Sequence, residues 1–302
     1  MTRLIRTRVW QSVIVLFFVV TIAFGIMRLS GDPALLLVSP DATTEEIAAA
    51  RQRMGFDQPL IVQYAKYLQR AVLGDFGNSL RYNQPALRLV LERMPATLEL
   101  AFVSLGISLS IALVLGVLAA TRRGSLIDHL SMLIALAGQA VPAFMLGILA
   151  ILVFSVRLRW FPTSGRGGLE NLVLPSLTLG LYSAARLTRL VRAGMIETLN
   201  QDYTRTARSK GLGERVVVVQ HAFRNTMLSV ITMVGIELGS LLGGAVVIET
   251  VFAWPGIGLL AVQAINSRDF PIVMAEVAVV GAMIVLINLL VDLLYGVFDP
   301  RI

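Results

Sequence analysis

The chain of 302 residues contains no cysteine and only two histidines, His129 and His221. Disulfide bonds, thiolate nucleophiles and cysteine-ligated metals are therefore excluded. Because the two histidines lie far apart in the sequence, we expect no histidine-based metal centre, although carboxylates could still bind a hard cation. No residue is assigned to a metal site. The phosphate-binding pattern G-x-x-x-x-G-K-[ST] is absent as well. This chain therefore cannot cradle a nucleotide in the manner of a P-loop ATPase.

Charged residues are scarce throughout the chain. They make up 15% of the residues, whereas a soluble domain carries roughly 25%. Hydrophobic residues make up 56%, and the mean hydropathy is +0.76. These values predict a polytopic membrane protein. The net charge of +7 fits a membrane protein with positive inner loops better than a nucleic-acid-binding protein, so no nucleic-acid partner is expected.

Six apolar runs are long enough to cross the hydrocarbon core, which takes about 20 residues in a helix. They cover residues 9–28, 98–120, 131–156, 172–192, 227–251 and 272–296. The fourth run is the weakest, because it contains Pro175 and ends with Arg186, Arg189 and Arg192 near one helix face. The predicted fold class is an all-α polytopic membrane protein with six transmembrane helices. In the third run, Gly138 and Pro142 are placed to kink the helix.

The distribution of lysine and arginine predicts the orientation. Cationic residues concentrate at the N-terminus, in the loops after the second and fourth runs, and at the end of the fourth run. Both termini are therefore expected in the cytosol. An Arg-rich start and the sequence Ala23-Phe24-Gly25 also fit a signal peptide. The apolar run is longer than a usual signal peptide has, which favours an uncleaved anchor over residues 1–28.

The segment 29–95 is too long for a simple connector and carries helix signals. Thr43 and Glu46 form a capping box, after which Gly55 can end the helix. A second helix is expected near Asp57, with Pro59 in its first turn. Two interpretations stay open: a scaffold over the outer ends of the spans, or a docking surface for an external partner.

The run DYTRTARSKGLGERVVVVQHAFRN, residues 202–225, interrupts the apolar chain and is here named the basic segment. Asp202 is predicted to cap a first helix through its carboxylate. One face of that helix would carry Tyr203, Thr206, Ala207 and Lys210. Gly211 suits the left-handed position after the helix, Leu212 follows it, and Glu214 lies in the first turn of a second helix.

Three accounts of the basic segment compete. The first is a solvated loop that only obeys the positive-inside rule. The second is a patch for lipid headgroups, against which the interspersed acids argue. The third is a docking element for a soluble cytosolic protein, built from two short helices around a glycine turn.

The motifs of this chain resemble a known family. Thr206-Ala207, Gly211 four residues after Ala207, and Arg224-Asn225 resemble the EAA cytoplasmic loop of bacterial ABC importer permeases. The dipeptide/oligopeptide permease group is also similar in its other motifs. These motifs are Gly31-Asp32-Pro33, MGFDQPLIVQYAKYL at 54–68, LGDFGNSL at 73–80, MPATLEL at 94–100, ETVFAWPGIG at 249–258 and YGVFDPR at 295–301. The literal EAA is missing, because Arg205 and Thr206 precede Ala207.

The resemblance implies a type I ABC importer permease fold in the bacterial inner membrane. It implies a homologous second permease, two ATPase subunits that bind ATP and Mg, and an external substrate-binding protein as partners. The basic segment would be the coupling element on the ATPase, within a cytosolic loop over 193–226. The domain division would then be an anchor over 1–28, an outer loop over 29–95, a permease core over 96–296 and a tail over 297–302.

Ionisable residues within the spans are candidate pathway residues, because a carboxylate in hydrocarbon is costly. Glu237 lies near the middle of the fifth run, and we consider pathway lining, contact with the partner permease or a proton site for it. Other acids are Glu249, Glu276 and Asp292. Gly239 and Gly243 form a small-xxx-small step, which fits either contact with the partner permease or packing within the chain.

Two other classes of function compete with an importer permease that carries di- or oligopeptides. A self-sufficient proton-coupled secondary transporter would use Glu237, but it requires inverted repeats and paired acids at the membrane midplane. A membrane enzyme would require a nucleophile and a base, and no such arrangement is recognisable. Relatives of this motif pattern carry dipeptides, longer peptides, glutathione or nickel complexes, and the sequence does not select among them.

Overall fold

The structure, a computed structural model, describes residues 2–29, 43–54 and 57–298. Within these ranges the chain is helical, and a single backbone bridge between Asn78 and Pro85 is the one extended pairing. The all-α prediction is confirmed. The helices are α1 Thr2–Leu29, α2 Thr44–Met54, α3 Leu60–Val72, α4 Ala86–Thr121, α5 Leu126–Ala140, α6 Ala143–Ala150, α7 Leu169–Leu199, α8 Asp202–Ser209, α9 Glu214–Val216, α10 Arg224–Val251, α11 Ile257–Asn266 and α12 Phe270–Phe298.

Among the described residues, four helices are long and apolar enough to cross a membrane by themselves. Their apolar stretches are Arg6–Ile26, Ala86–Thr121, Ser229–Val251 and Phe270–Val291. Helix α6 continues without a break as a π-helix over Ile151–Arg157. Helix α5 and this longer helix, Ala143–Arg157, form a fifth candidate span if they are counted together, with a bend of 96° between them. The break falls at Val141 and Pro142, as the sequence predicted, because proline has no N–H to donate into the preceding turn. Helix α7 is not among these candidate spans. The count of six spans therefore stays a prediction.

The chain divides into two compact units. The first consists of Met1–Pro95 and Leu259–Leu286, and the second of Ala96–Gly258 and Ile287–Ile302. In the first unit the capping box of α2 is confirmed: the Thr43 N–H donates to Glu46 Oε2 at 2.8 Å, and the Glu46 N–H donates to Thr43 Oγ1 at 3.3 Å. Gly55 lies outside the described residues.

Helix α3 begins at Leu60, later than the sequence predicted. Pro59 is its N-cap with an extended backbone (φ −54°, ψ 142°), so it precedes the first turn and does not form part of it. The N–H groups of Val62 and Gln63 donate to the Pro59 carbonyl. Proline is well suited here, because its carbonyl starts the helix while its missing N–H is not needed.

Polar and aromatic contacts tie α3 to α1 within the first unit. Thr21 Oγ1 and the Tyr64 hydroxyl lie 2.6 Å apart, and the Phe24 ring lies 5.3 Å from Tyr64 and 5.4 Å from Tyr67 between centroids. Asp269, at the start of α12, accepts a hydrogen bond from Ser79 at 2.5 Å. These contacts support the scaffold interpretation of segment 29–95, while docking of an external partner stays a prediction.

Helix α7 is the centre of the second unit and packs against α5, α6 and α10. Its residues Leu187, Val191 and Met195 are fully buried. Pro175 is accommodated inside this helix. Glycine allows a close approach at one point: a Cβ built on Gly180 would lie 2.8 Å from the Ser104 carbonyl oxygen of α4. The helix that carries the arginines is therefore held on several sides by the same unit.

We expect Gly180→Ala to destabilise the chain, because the new methyl group meets backbone that cannot move aside. The same Cβ would also lie 3.3 Å from Ile107 Cγ2. Overpacking of this kind costs about 1–3 kcal/mol. The midpoint of thermal unfolding in detergent should fall. Gly106→Ala is the matched control, since no atom lies within 4 Å of its added Cβ; equal midpoints for the two variants would contradict the expected clash.

Candidate functional site

The first helix of the basic segment, α8, has one buried face and one exposed face. Thr204 and Ala207 are buried, whereas Tyr203 is 39% exposed and Thr206 is also exposed. The predicted cap at Asp202 is wrong by one residue: Gln201 is the N-cap and makes no side-chain capping bond. Asp202 is instead the first helical residue, where its charge still interacts favourably with the helix dipole.

Thr204 fastens α8 to the end of α7. Its hydroxyl donates to the carbonyl oxygens of Leu199 at 2.9 Å and Gln201 at 2.6 Å. Ala207, 4% exposed, lies on the same buried side. Its small side chain therefore serves packing within the chain. The other predicted contact residues are all exposed, namely Asp202, Tyr203, Thr206, Lys210, Gly211 and Leu212.

The turn after α8 has the predicted left-handed glycine. Gly211 has φ +79°, its N–H donates to the Arg208 carbonyl at 2.9 Å, and the Leu212 N–H donates to the Ala207 carbonyl at 3.3 Å. Arg208 and Glu214 close the turn through two hydrogen bonds of 2.7 and 3.3 Å. The guanidinium of Arg208 lowers the pKa of the Glu214 carboxyl, and the carboxylate raises the pKa of Arg208.

The Arg208–Glu214 pair predicts a pH-dependent turn of small effect. Because the pKa of Glu214 is lower in the folded chain, the pair stabilises the turn at neutral pH and is lost as the pH falls through that lowered value. Glu214→Gln should speed amide exchange in residues 210–214 by about twofold or less, since exposed ion pairs contribute little. The difference from the unaltered chain should vanish in acid, and a difference that persists there would contradict this cause.

The second half of the basic segment is helical, as predicted, and runs without a break into α10. Helix α9 continues as a π-helix over Val217–Phe223 and then as α10. Ala222 belongs to a buried cluster with Val191 and Met195 of α7 and Val230 of α10. Helix α8 packs against this π-helix and is bonded to the end of α7 through Thr204. A displacement of α8 would therefore be passed on to α7 and α10, because a packed interior has low compressibility.

Glu237 is paired within the chain. It is 1% exposed, and its Oε2 accepts hydrogen bonds from Ser183 Oγ and Arg186 Nη2, each at 2.9 Å. The sequence analysis grouped Arg186 with the cations at the inner end of the fourth run. The structure adds its partner, Glu237, which lies within the candidate span Ser229–Val251.

The other two arginines of α7 also have partners in the second unit. Arg192 donates to Asp128 through Nε at 2.6 Å and Nη2 at 2.8 Å, and Arg189 donates to Gln139 at 2.9 Å. Sequence reasoning missed all three pairs. The available signal was the three-residue spacing of the arginines, which places them near one helix face, but spacing does not reveal the partner.

The small-xxx-small step of α10 faces open space. A Cβ built on Gly239 or Gly243 meets no atom within 4 Å. The close approach within the chain occurs at Gly235, where an added Cβ would collide with Val291. Packing within the described part of the chain therefore does not explain why glycine occupies positions 239 and 243.

Glu249 belongs to a buried cluster of hydrogen bonds at the end of α10. Its Oε1 accepts a hydrogen bond from Thr97 Oγ1 at 2.6 Å, and the Ile257 N–H donates to the same hydroxyl at 2.8 Å. The carboxylate occupies the space that a Cβ on Gly256 would fill. Glu249 therefore has a structural explanation. Glu276 is 6% exposed, and the side chain of Asp292 lies outside the described set.

No group of three or more histidine, aspartate or glutamate residues in the described ranges could hold a metal ion. Arg186, Arg192 and Arg208 instead form pairs with the carboxylates of Glu237, Asp128 and Glu214. Such pairs can orient a charged ligand or hold helices together, but they offer no nucleophile.

Family models match both parts of the sequence. The model described as "Binding-protein-dependent transport system inner membrane component" matches residues 112–302, and "Binding-prot-dependent transport system membrane comp, N-term" matches residues 1–101. A putative peptide transport system permease protein of Brucella abortus is 42% identical over 311 aligned residues, covering 100% of this chain and 99% of its own. The glutathione transport system permease protein GsiC of Escherichia coli K12 is 43% identical, covering 95% of this chain and 94% of its own.

Solved structures with the same fold are more distant in sequence. The MetNI methionine ABC transporter, in inward-facing conformations, is similar with a TM-score of 0.59 and 20% identity over 70% of this chain and 96% of the matched chain. An amino acid ABC transporter with histidines gives a TM-score of 0.56 and 16% identity over 69% of this chain and 94% of the matched chain. These matches concern the fold alone.

Proposed function

The chain belongs to the binding-protein-dependent transport system inner membrane components, the permeases of ABC importers, and from this membership we propose how it works. It is a transport subunit of the peptide permease group and not an enzyme. It forms half of a translocation pathway with a second, homologous permease. Two ATPase subunits supply the ATP and Mg chemistry, which fits the absence of a phosphate-binding loop from this sequence.

The proposed substrates are di- or oligopeptides. This proposal is supported by two relatives that match nearly the whole chain, one named for peptide transport and the other for glutathione transport. Glutathione is itself a small peptide with free carboxylates, so both names point to the same ligand chemistry. Selection among peptides is assigned to the external binding protein.

In the proposed topology the chain crosses the bacterial inner membrane six times with both termini in the cytosol. The sixth crossing is α7, which carries arginines and is nevertheless compatible with the membrane because Glu237, Gln139 and Asp128 pair with them. Paired charges are the form in which ionisable residues are tolerated at membrane depth. Segment 29–95 then lies outside, where the binding protein docks.

The basic segment is proposed as the coupling element that contacts the ATPase. The observation that carries this proposal is the division of α8 into a face fastened to α7 through Thr204 and an opposite face left exposed. Asp202, Tyr203, Thr206, Lys210 and Leu212 supply the exposed contacts, with Ala207 and Gly211 holding their geometry. ATP-driven closure of the ATPases would then move α7 and α10 through the cluster around Ala222.

The face of α10 that carries Gly239 and Gly243 is proposed to adjoin the partner permease or the pathway. The open space at both glycines supports this assignment. The proton-coupled alternative is not supported, because the family models that match this chain describe components of binding-protein-dependent transport systems. The Glu237 carboxylate is held by two hydrogen bonds within the chain.

Affinity purification of the chain from its native membrane tests the proposed assembly. Mass spectrometry should identify a homologous permease and an ATPase with a phosphate-binding loop among the retained proteins. A chain that purifies alone after mild solubilisation, yet transports substrate without ATP, would overturn the proposal.

A further inference from the structure

Arg186 places a partly exposed cation on a surface of the second unit that also carries exposed apolar side chains. Its side chain is 29% exposed, whereas that of its partner Glu237 is 1% exposed. On α10, Ile236 next to Glu237 is an exposed apolar residue, and Val247 is exposed further along the helix. A charged side chain at membrane depth normally faces protein or a water-filled cavity and not lipid. This surface therefore faces the pathway or the partner permease.

The guanidinium is held in a fixed orientation with bonding capacity left over. Its Nη2 donates to Glu237 Oε2 at 2.9 Å and to Ser240 Oγ at 3.3 Å, and its plane lies over the Tyr182 ring at 5.3 Å from the centroid. Its Nε is buried and is not accessible to a ligand, whereas none of the described hydrogen bonds uses its Nη1. The planar guanidinium has five N–H donors in a rigid fork, which matches the two oxygens of a carboxylate.

Space for a ligand adjoins this cation along α10. No atom lies within 4 Å of a Cβ built on Gly239 or Gly243. The Ser240 side chain between them is exposed and already bonds to Arg186. The Ser240 hydroxyl and the Arg186 guanidinium therefore lie beside a stretch of α10, at Gly239 and Gly243, that no described residue covers.

We propose that Arg186 binds the terminal carboxylate of a transported peptide, with Ser240 beside it and Glu237 as a positioning residue. The inference rests on the proposed peptide function and adds a recognition group to it. Every linear peptide carries a terminal carboxylate whatever its side chains are. A single fixed cation therefore suits a pathway that accepts many peptides. Glu237 balances the charge of Arg186 and holds its fork in place when no peptide is bound.

The test uses the whole complex of both permeases, the ATPases and the binding protein, reconstituted in liposomes. The probes are trialanine and its C-terminal amide, and the affinity of the binding protein for each probe is measured separately. We expect Arg186→Gln to lower trialanine uptake by roughly tenfold or more, as loss of a charge-assisted hydrogen bond does. Arg186→Gln should change the uptake of the amide much less, once uptake is corrected for the affinity of the binding protein for the amide.

The double variant Arg186→Gln/Glu237→Gln separates recognition from a structural role. Removing both members of a buried ion pair often restores stability, because no uncompensated charge remains. Trialanine uptake should stay as low in the double variant as in the single one. Recovery of uptake in the double variant, or equal losses for trialanine and its amide, would overturn the proposal.

Arg189→Gln is the matched control, since Arg189 lies one turn away, is exposed and bonds to Gln139. It should leave trialanine uptake close to that of the unaltered complex. A loss as large as that of Arg186→Gln would show a general need for charge on α7 and would also overturn the proposal. If the unaltered complex takes up no trialanine with ATP, it is the proposed function that fails.

Discussion

Replacing Gly211 with proline is expected to detach the ATPase subunits from the complex while the partner permease stays bound. Gly211 has φ +79° and its N–H donates to the Arg208 carbonyl, whereas proline holds φ near −65° and has no N–H. A residue forced into an unsuitable backbone conformation costs about 1–3 kcal/mol. If that strain displaces α8, ATPase association falls by roughly ten- to a hundredfold. Co-purification measures the retained ATPase and permease.

Gly213→Pro is the matched control in the same turn. Gly213 has φ −64°, a value that proline adopts without strain. The control should retain the ATPase. Equal loss of ATPase in both variants would show that any proline in the turn is harmful, and loss of the partner permease in Gly211→Pro would show a misfolded chain.

The second large effect is expected at Thr97, whose buried hydroxyl serves two partners. It donates to Glu249 at 2.6 Å and accepts from the Ile257 N–H at 2.8 Å. Thr97→Val keeps the shape but removes both bonds, and a buried donor such as the Ile257 N–H that loses its hydrogen bond costs roughly 1–3 kcal/mol. The midpoint of thermal unfolding in detergent should fall sharply, and less folded chain should accumulate in the membrane.

Thr97→Ser is the control, because it keeps the hydroxyl and removes only the methyl group. Its unfolding midpoint should lie close to that of the unaltered chain. A further hydrogen bond, from Trp254 Nε1 to the Ala96 carbonyl at 2.8 Å, belongs to the same buried cluster. If Thr97→Val were as stable as the serine variant, this hydrogen-bonded cluster would not be what holds α10 to α4.

Features determined by neighbouring residues were predictable from the sequence. The Thr43–Glu46 box, the left-handed Gly211 and the break at Pro142 each depend on groups a few residues apart, so the residue types alone specify them. The cap of α8 was misplaced by one residue because Gln201 has the extended backbone that capping requires. Helix ends are the least sharply specified local feature.

Features that depend on two distant segments were not predictable. Arg186 and Glu237 are 51 residues apart in the chain, and a charge count assigns Arg186 to a surface without identifying its partner. The spacing of Gly239 and Gly243 indicated close packing, but the close contact within the chain occurs at Gly235. The rotation of α10 relative to α12 determines which glycine of α10 lies at the close contact with Val291. The residue pattern of a single helix does not define that rotation.

The source of energy for transport can be measured as uptake by the reconstituted complex in liposomes. Labelled trialanine would be supplied with the binding protein, with ATP on the side of the ATPases and with or without a proton gradient. We expect uptake that requires ATP and that persists after an uncoupler has dissipated the gradient. Uptake by the purified chain alone, driven by a proton gradient without ATP, would show that the chain is not an ATP-driven importer subunit.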